Sequence, residues 1–435
     1  MKHLDYFFKK PYATPFFLFL ITFCVFVAGM RYVASGDAIP AVILPASIIY
    51  EHNLDFNEFV KDKNSLEYYF RNVNGRIVSN FPILPGLLNT PVFLLAYFLG
   101  MNPQQMIEER LFLSLLSAAA IASLSVVFMY LALKKITVPK TAIFFSLVYA
   151  FATSAWSVAA IGIWQHGPSI MFITAALWLL LRKDQYLPYS GLLLSLAFFN
   201  RPSNLLIVLA IMIYVFLHHR QHFRNYFIAV LLPLPFFVAY SYIYYGQFLF
   251  IYSLSAVSLT GNFGKGILSL LLSPNRGLFI FSPIFIFSFT SLIPAIFLKT
   301  HDTIYRYLAI AAIALLIFYS KVSCWFGGWG YSYRFLVEIL PILIIFLVLA
   351  WEENISKKLY LRFIFSFLLL WSVYTQTLGA YIYPSGFEKY ALNDPKCPSG
   401  ECQTKRLWNF KDNEITRCSK KFIQAVFCKT RNNHE

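Results

Sequence analysis

The sequence predicts an all-α polytopic membrane protein: about eleven transmembrane helices, juxtamembrane helices in a long first outer loop, and a small disulfide-bonded C-terminal tail. Three observations carry that prediction. Of 435 residues, 58% are hydrophobic, 19% aromatic and only 13% charged, so long uncharged runs dominate and no soluble globular class fits. The Lys and Arg behind the net charge of +16 sit in short clusters between apolar runs. That is the pattern of topology signals, and it excludes the single basic face that nucleic acid requires. Four of the six cysteines, Cys397, Cys402, Cys418 and Cys428, fall in the tail, which therefore reads as disulfide-bonded and extracytoplasmic.

In chain order, Met1 to Pro11 precedes the apolar run Tyr12 to Ala34, which lacks a small-residue cleavage site and reads as a retained span, with the mature chain starting at Met1. Lys2, Lys9 and Lys10 put the N-terminus in the cytoplasm and Ser35-Gly36-Asp37-Ala38-Ile39-Pro40 outside. The loop from Ser35 to Phe81 mixes Glu51, Asp55, Glu58, Asp62 and Glu67 with Tyr68, Tyr69 and Phe70, and its apolar stretches suit short amphipathic helices framing Asp37. Ile83 to Leu99 is short and holds Pro85, Gly86, Asn89 and Pro91. A juxtamembrane placement there, within an outer loop of residues 35–109, leaves Lys134, Lys135 and Lys140 in the cytoplasm.

Leu111 to Leu133 then runs inward, Thr141 to Gly162 outward and Pro168 to Leu181 inward. Two short legs, Leu187 to Phe199 and Leu205 to Leu217, meet at Asn200-Arg201-Pro202-Ser203-Asn204, a joint that points outward because both flanks are basic. Tyr226 to Tyr245 runs out, Gly246 to Asn275 is a partly embedded outer segment, and Gly277 to Leu298 returns. Ile304 to Tyr319 goes out, Lys321 to Tyr333 is an outer loop, Phe335 to Trp351 returns, and Phe363 to Ala380 crosses outward to the tail. Residues 1–383 form one transmembrane domain and 384–435 the extracytoplasmic tail of a multi-pass cell (inner) membrane protein. Loop charge and cysteine chemistry place the tail on the same side by separate arguments.

This topology gathers the polar residues that are costly in a membrane on one side: Asp37, Gln165-His166, Arg201, Arg276, and Lys321 with Arg334. An acid facing several cations suits a reaction in which the acid activates a nucleophile while the cations hold a phosphate leaving group. Each residue also has a plainer reading. Asp37 could cap a helix, His166 could close a turn, and Arg201 could snorkel to the interface. Arg276 opens a span, where an arginine needs an anionic partner: a phosphate, Asp37 or a lipid headgroup. In Trp325-Phe326-Gly327-Gly328-Trp329-Gly330-Tyr331-Ser332-Tyr333-Arg334, rings with interspersed glycines suit a sugar-stacking cleft or an interfacial aromatic belt. Glu51 and Asp55 are spaced for one helical face; they are solvated acids or, with Asp37, ligands of a divalent metal, and no other cofactor is indicated.

These residues resemble the GT-C superfamily of polytopic glycosyltransferases, which includes the protein mannosyltransferases and the aminoarabinose lipid A transferases. The resemblance covers Met1 to Ala380. It rests on a first span ending at Asp37, a long outer loop closing in Asn80-Phe81-Pro82, Gln165-His166 at a later outer edge, and Trp325 to Arg334. It implies that Asp37 activates the acceptor, that the donor is a polyprenyl-phosphate sugar, and that Arg201, Arg276, Arg334 and His166 contact its phosphate. Gln165, Lys321, Trp325, Trp329 and Tyr331 are then substrate contacts. The sequence departs from the commonest family pattern in having Gly36-Asp37 in place of an adjacent acidic pair, so no second catalytic acid carries over. The implied partners are that donor, membrane lipid, and a glycan, lipid or protein acceptor. A lipid or polysaccharide flippase and a lipid-diphosphate-dependent polymer ligase are the alternatives.

Overall fold

Helices dominate the computed structural model, which describes residues 12–32, 35–60, 66–182, 184–248, 258–298, 302–328, 330–383 and 405–431. Among the described residues, five helices are long and apolar enough to cross a membrane: Arg110–Leu133, Arg220–Tyr245, Thr303–Lys321, Arg334–Ile355 and Leu359–Ile382. Seven shorter apolar helices accompany them. The shorter ones stop where polar or proline-containing turns interrupt the apolar runs. Thr153 bends back to the Tyr149 carbonyl at 2.6 Å, and Ser282, just before Pro283, donates to the Ala152 carbonyl at 2.7 Å. Such breaks are stable in a membrane protein when the freed backbone groups are re-satisfied by other parts of the chain.

Helix α1 (Ala13–Ala28) is apolar throughout and lies against the long helix Arg110–Leu133. It ends at Gly29, where a Cβ would lie 2.6 Å from the Tyr381 ring, and Tyr381 donates its hydroxyl to the Val25 carbonyl at 2.9 Å. The first outer loop follows. After the turn Gly36–Ala38, α2 (Ile39–Ala46) starts with Pro40 in its first turn and packs on α3 (Leu84–Phe98). The buried Asn89 of α3 joins the two by donating to the Ala41 carbonyl at 3.0 Å and to Ser114 at 2.8 Å.

Between α2 and α3 the loop forms an antiparallel hairpin, β1 (Phe70–Val73) and β2 (Arg76–Ser79), with Phe70 opposite Ser79 and Val73 opposite Arg76. The sequence reading expected only helices here. Asn74 and Gly75 both take positive φ, 51° and 85°, the two-residue turn whose twist matches paired strands. Phe70 and Ile77 share one buried face of the hairpin, Val78 is buried on the other, and Phe56 packs on Phe70. His52 sits left-handed at φ 54° just after the helical turn Ser47–Glu51, so Glu51 and Asp55 do not share a helical face.

The body is assembled from α4 (Arg110–Leu133), α5 (Pro139–Phe151), α6 (His166–Leu180), α7 (Leu187–Asn200), α8 (Leu205–His218), α9 (Phe263–Leu272), α10 (Thr303–Lys321), α11 (Leu340–Ala350) and α12 (Leu359–Thr377). Helix α11 is the centre: every side chain from Leu340 to Val348 is buried. Its entry turn, Arg334–Ile339, is thereby held rigidly. In the tail, α13 (Glu414–Arg431) follows a segment whose Leu407 joins Ile415 and Cys418 in the same core as the body. Cys397, Cys402 and the Cys428 side chain lie outside the described residues, and so does any disulfide pairing that involves them.

Candidate active site

Asp37 stands on the turn that follows α1, partly buried, with both carboxylate oxygens engaged. Tyr68, just ahead of β1, donates its hydroxyl to Oδ1 at 2.9 Å, and Arg334 donates Nη2 to Oδ2 in an ion pair. Arg334 has two further acceptors, His166 Nε2 at 3.1 Å and the Gly327 carbonyl at 3.2 Å, and its guanidinium lies 4.3 Å from the centre of the Trp164 ring. Burial pushes the Asp37 carboxyl up. The Arg334 charge and the hydrogen bonds from Arg334 and Tyr68 outweigh it and hold the group below the usual carboxylate range.

His166 opens α6 and carries the chain of contacts inward. Its Nδ1 is 2.8 Å from Oε1 of Glu338, so the ring gives that proton to the carboxylate and keeps its Nε2 lone pair for Arg334. Arg201 completes the set. It occupies the extended joint between α7 and α8, with Nη1 2.9 Å and 3.0 Å from the two imidazole nitrogens and Nε 3.4 Å from Glu338. Nε and Nη2 of Arg201 also donate to Tyr319 at 3.0 Å and 2.9 Å, and Tyr319 passes its hydroxyl to Ser203 at 2.6 Å. One imidazole thus meets two guanidiniums and the Glu338 carboxylate, with Asp37 on the far side of Arg334, in a site walled by Trp164, Tyr319 and Phe335.

Local sequence explains each placement. Asn200 donates to the Gln165 carbonyl at 2.6 Å and to Ser169 at 2.8 Å, locking the joint that holds Arg201 against the first turn of α6. Arg334 and Glu338 are four apart on the entry turn to α11, so one rigid element presents a cation and an acid to the same histidine. Gly36 is needed for space: a Cβ there would lie 2.3 Å from the Tyr68 hydroxyl. Gly36→Ala therefore displaces Tyr68 from Asp37. The expected result is roughly a 10–100-fold fall in kcat/KM, the value of one hydrogen bond to an ionised carboxylate, with Tyr68→Phe giving a similar loss in the same assay.

The structure joins Asp37, His166, Arg201 and Arg334 and places the other sequence candidates elsewhere. Arg276 is buried in a separate cluster: it pairs with Glu414 of the tail and donates to the carbonyls of Phe326 at 2.8 Å and Gly328 at 3.0 Å. Its anionic partner is a carboxylate of this chain. Tyr331 is buried with its hydroxyl on the Thr375 carbonyl at 2.7 Å, and Lys321 is exposed at the end of α10. Trp325 is buried away from the network, Gln165 contributes its backbone carbonyl, and Trp329 lies outside the described residues. Among the described residues no three His, Cys, Asp or Glu side chains are grouped to hold a metal.

Tyr68, Trp164, Tyr319 and Glu338 are the members that sequence reasoning missed. Glu338 was detectable: it is a carboxylate inside the apolar run Phe335 to Trp351, where an acid is costly without a function or a partner. The Arg276 and Glu414 pair has its own test. Arg276→Met alone leaves the Glu414 carboxylate buried without its cation and lowers stability by about 3–5 kcal/mol, whereas Arg276→Met with Glu414→Leu restores most of it. Thermal inactivation of the three proteins in detergent measures both.

No family model matches the sequence, and no curated protein matches it. Solved structures do. The Archaeoglobus fulgidus oligosaccharyltransferase in its apo form matches with a TM-score of 0.54 and 13% identity, over 92% of this chain and 60% of that one. The same protein tethered with an acceptor peptide containing the NVT sequon gives a TM-score of 0.51 at 13% identity, over 92% and 59%. Its complex with Zn and sulfate also gives 0.51 at 13% identity, over 90% and 57%. The chain spans about three fifths of the length of these structures. The likeness is one of fold: the chain shares the overall architecture of these structures.

Proposed function

We propose that this chain is an inverting membrane glycosyltransferase that moves a hexosyl or pentosyl unit from a polyprenyl-phosphate donor to a glycolipid, glycan or protein acceptor outside the membrane. The observation that carries this reading is the joining of Asp37 to Arg334, His166 and Arg201 in one hydrogen-bonded network. The fold likeness to an oligosaccharyltransferase solved with a tethered acceptor peptide supports the transferase class. In this reading Asp37 takes the acceptor hydroxyl proton, and the acceptor oxygen attacks the anomeric carbon. The bond from that carbon to the phosphate oxygen breaks, and its electrons leave with the polyprenyl phosphate.

Tyr68 and Arg334 engage both Asp37 oxygens and hold the carboxylate low. A carboxylate held low is a weak base. The donor phosphate offers Arg334 a doubly accepting alternative of higher charge. Once Arg334 turns to the phosphate, Oδ2 is free and more basic, and Arg201 supplies further donors to the leaving group, with His166 held between the two guanidiniums. Proton abstraction then follows donor binding.

The finer topology belongs to the same proposal: about eleven spans in the cell (inner) membrane, the N-terminus in the cytoplasm, and a disulfide-bonded tail outside. Mass spectrometry of envelope glycolipids and glycans from cells with and without the gene tests the function. One sugar is missing from one product when the gene is absent. Unchanged products, with labelled lipid crossing sealed vesicles chemically intact, overturn the transferase in favour of a transporter.

A further inference from the structure

The tail builds a second cleft. A cavity of about 510 Å³ opens between α9, the loop after α10, and the segment around Trp408. That volume is in the range of small-ligand sites. Its described lining includes two tryptophans, Trp325 and Trp408, and two lysines, Lys265 and Lys405, with no acid among them. None of these side chains belongs to the Asp37 network.

The walls are fixed at a cost that calls for a use. A Cβ at Gly266 would lie 2.0 Å from the Ser320 carbonyl oxygen, so α9 is seated directly on the end of α10. The tail wall is held by its Leu407 carbonyl, which accepts from Ser273 at 2.8 Å and from Asn275 at 3.2 Å, and by the buried Glu414 and Arg276 pair. Trp408 donates its indole N–H to Ser269 at 3.2 Å, which sets the ring in the cleft. Both lysines are exposed, one on α9 and one on the tail, and so offer point charges from two sides.

We infer that this cleft binds an anionic sugar, with the Trp408 indole packing on the ring beside the buried Trp325 and the two ammonium groups taking a phosphate or carboxylate substituent. Resting on the transferase reading above, the cleft assigns the acceptor to the acidic glycans. The loop from Trp325 to Arg334 ties it to the acid site. Trp325 lines the cleft, Arg276 clamps the carbonyls of Phe326 and Gly328, and the Gly327 carbonyl accepts from Arg334. A sugar seated beside Trp325 is therefore one loop away from the arginine that covers Asp37.

Binding of glucuronate, glucose 1-phosphate, neutral glucose and farnesyl phosphate to the purified full chain in detergent tests this. Both anionic sugars bind at least 10-fold more tightly than glucose. Lys265→Glu lowers that preference and Lys265→Glu with Lys405→Glu removes it in a protein whose helical circular dichroism is retained, and Trp408→Ala weakens all three sugars. Asp37→Asn, outside the cleft, leaves the glucuronate and glucose affinities unaltered. Equal affinity for charged and neutral sugars, or charge reversal without effect, overturns the proposal. So does lysine-dependent binding of farnesyl phosphate without lysine-dependent sugar binding, which marks a lipid-phosphate site. Sugar binding that persists in a protein with no transferase activity on any donor overturns the function proposed above and leaves this cleft standing.

Discussion

Asp37→Asn lowers kcat/KM for sugar transfer by about 10²–10⁴-fold, the range that positioned acid–base groups contribute. The amide is nearly isosteric and keeps an oxygen for Tyr68 or Arg334, so the variant folds and binds donor. It cannot take a proton. Transfer near the wild-type rate in that variant sinks the mechanism. The pH profile adds an independent readout. Asp37 is held below the usual carboxylate range, so the stability from its ion pair is fully present above the unfolded-chain value and disappears as pH falls through the lower folded value. The acid limb of kcat/KM, which reports the free enzyme, accordingly lies low. Release of Arg334 to the donor phosphate moves the acid limb of kcat to higher pH. Coincident limbs argue against the release.

Glu338→Ala is the second large effect, and it acts on stability as well as rate. Glu338 is fully buried, with Oε1 2.8 Å from His166 Nδ1 and 3.4 Å from Arg201 Nε. Its loss strips the Arg201 guanidinium of that carboxylate in a low-dielectric site and costs about 3–5 kcal/mol. It also removes the acceptor that fixes the His166 tautomer, so transfer falls even where the protein survives. Glu338→Leu combined with Arg201→Met separates the two roles: thermal stability returns toward wild type, but transfer does not. Recovery of transfer in the double variant makes the pair purely structural.

The first outer loop shows where sequence reasoning was incomplete for a local reason. Val73-Asn74-Gly75-Arg76 has the strongest short hairpin signal, whereas the apolar stretches of the loop suited amphipathic helices. The hairpin matters because it starts two residues after Tyr68 and sets that hydroxyl on Asp37. Gly36 has a task that only the folded chain shows, room for the Tyr68 ring. The Arg276 assignment depended on a partner more than a hundred residues away in the tail, which periodicity and loop charge do not reveal.

By itself the sequence determined the membrane character of the chain, the breaks at Gly36-Asp37, Gln165-His166, Asn200-Arg201-Pro202 and Tyr333-Arg334, and the costly polar residues at those breaks. Hydropathy makes this legible because an ionisable group beside an apolar run needs a partner or a task. Tertiary structure alone decided which of them meet. Arg334 went to Asp37 and His166, Arg201 to His166 and Glu338, and Arg276 to Glu414. A buried charge takes the counter-charge that packing brings within reach, and packing of the helices around α11 is a property of the whole chain that no single stretch contains.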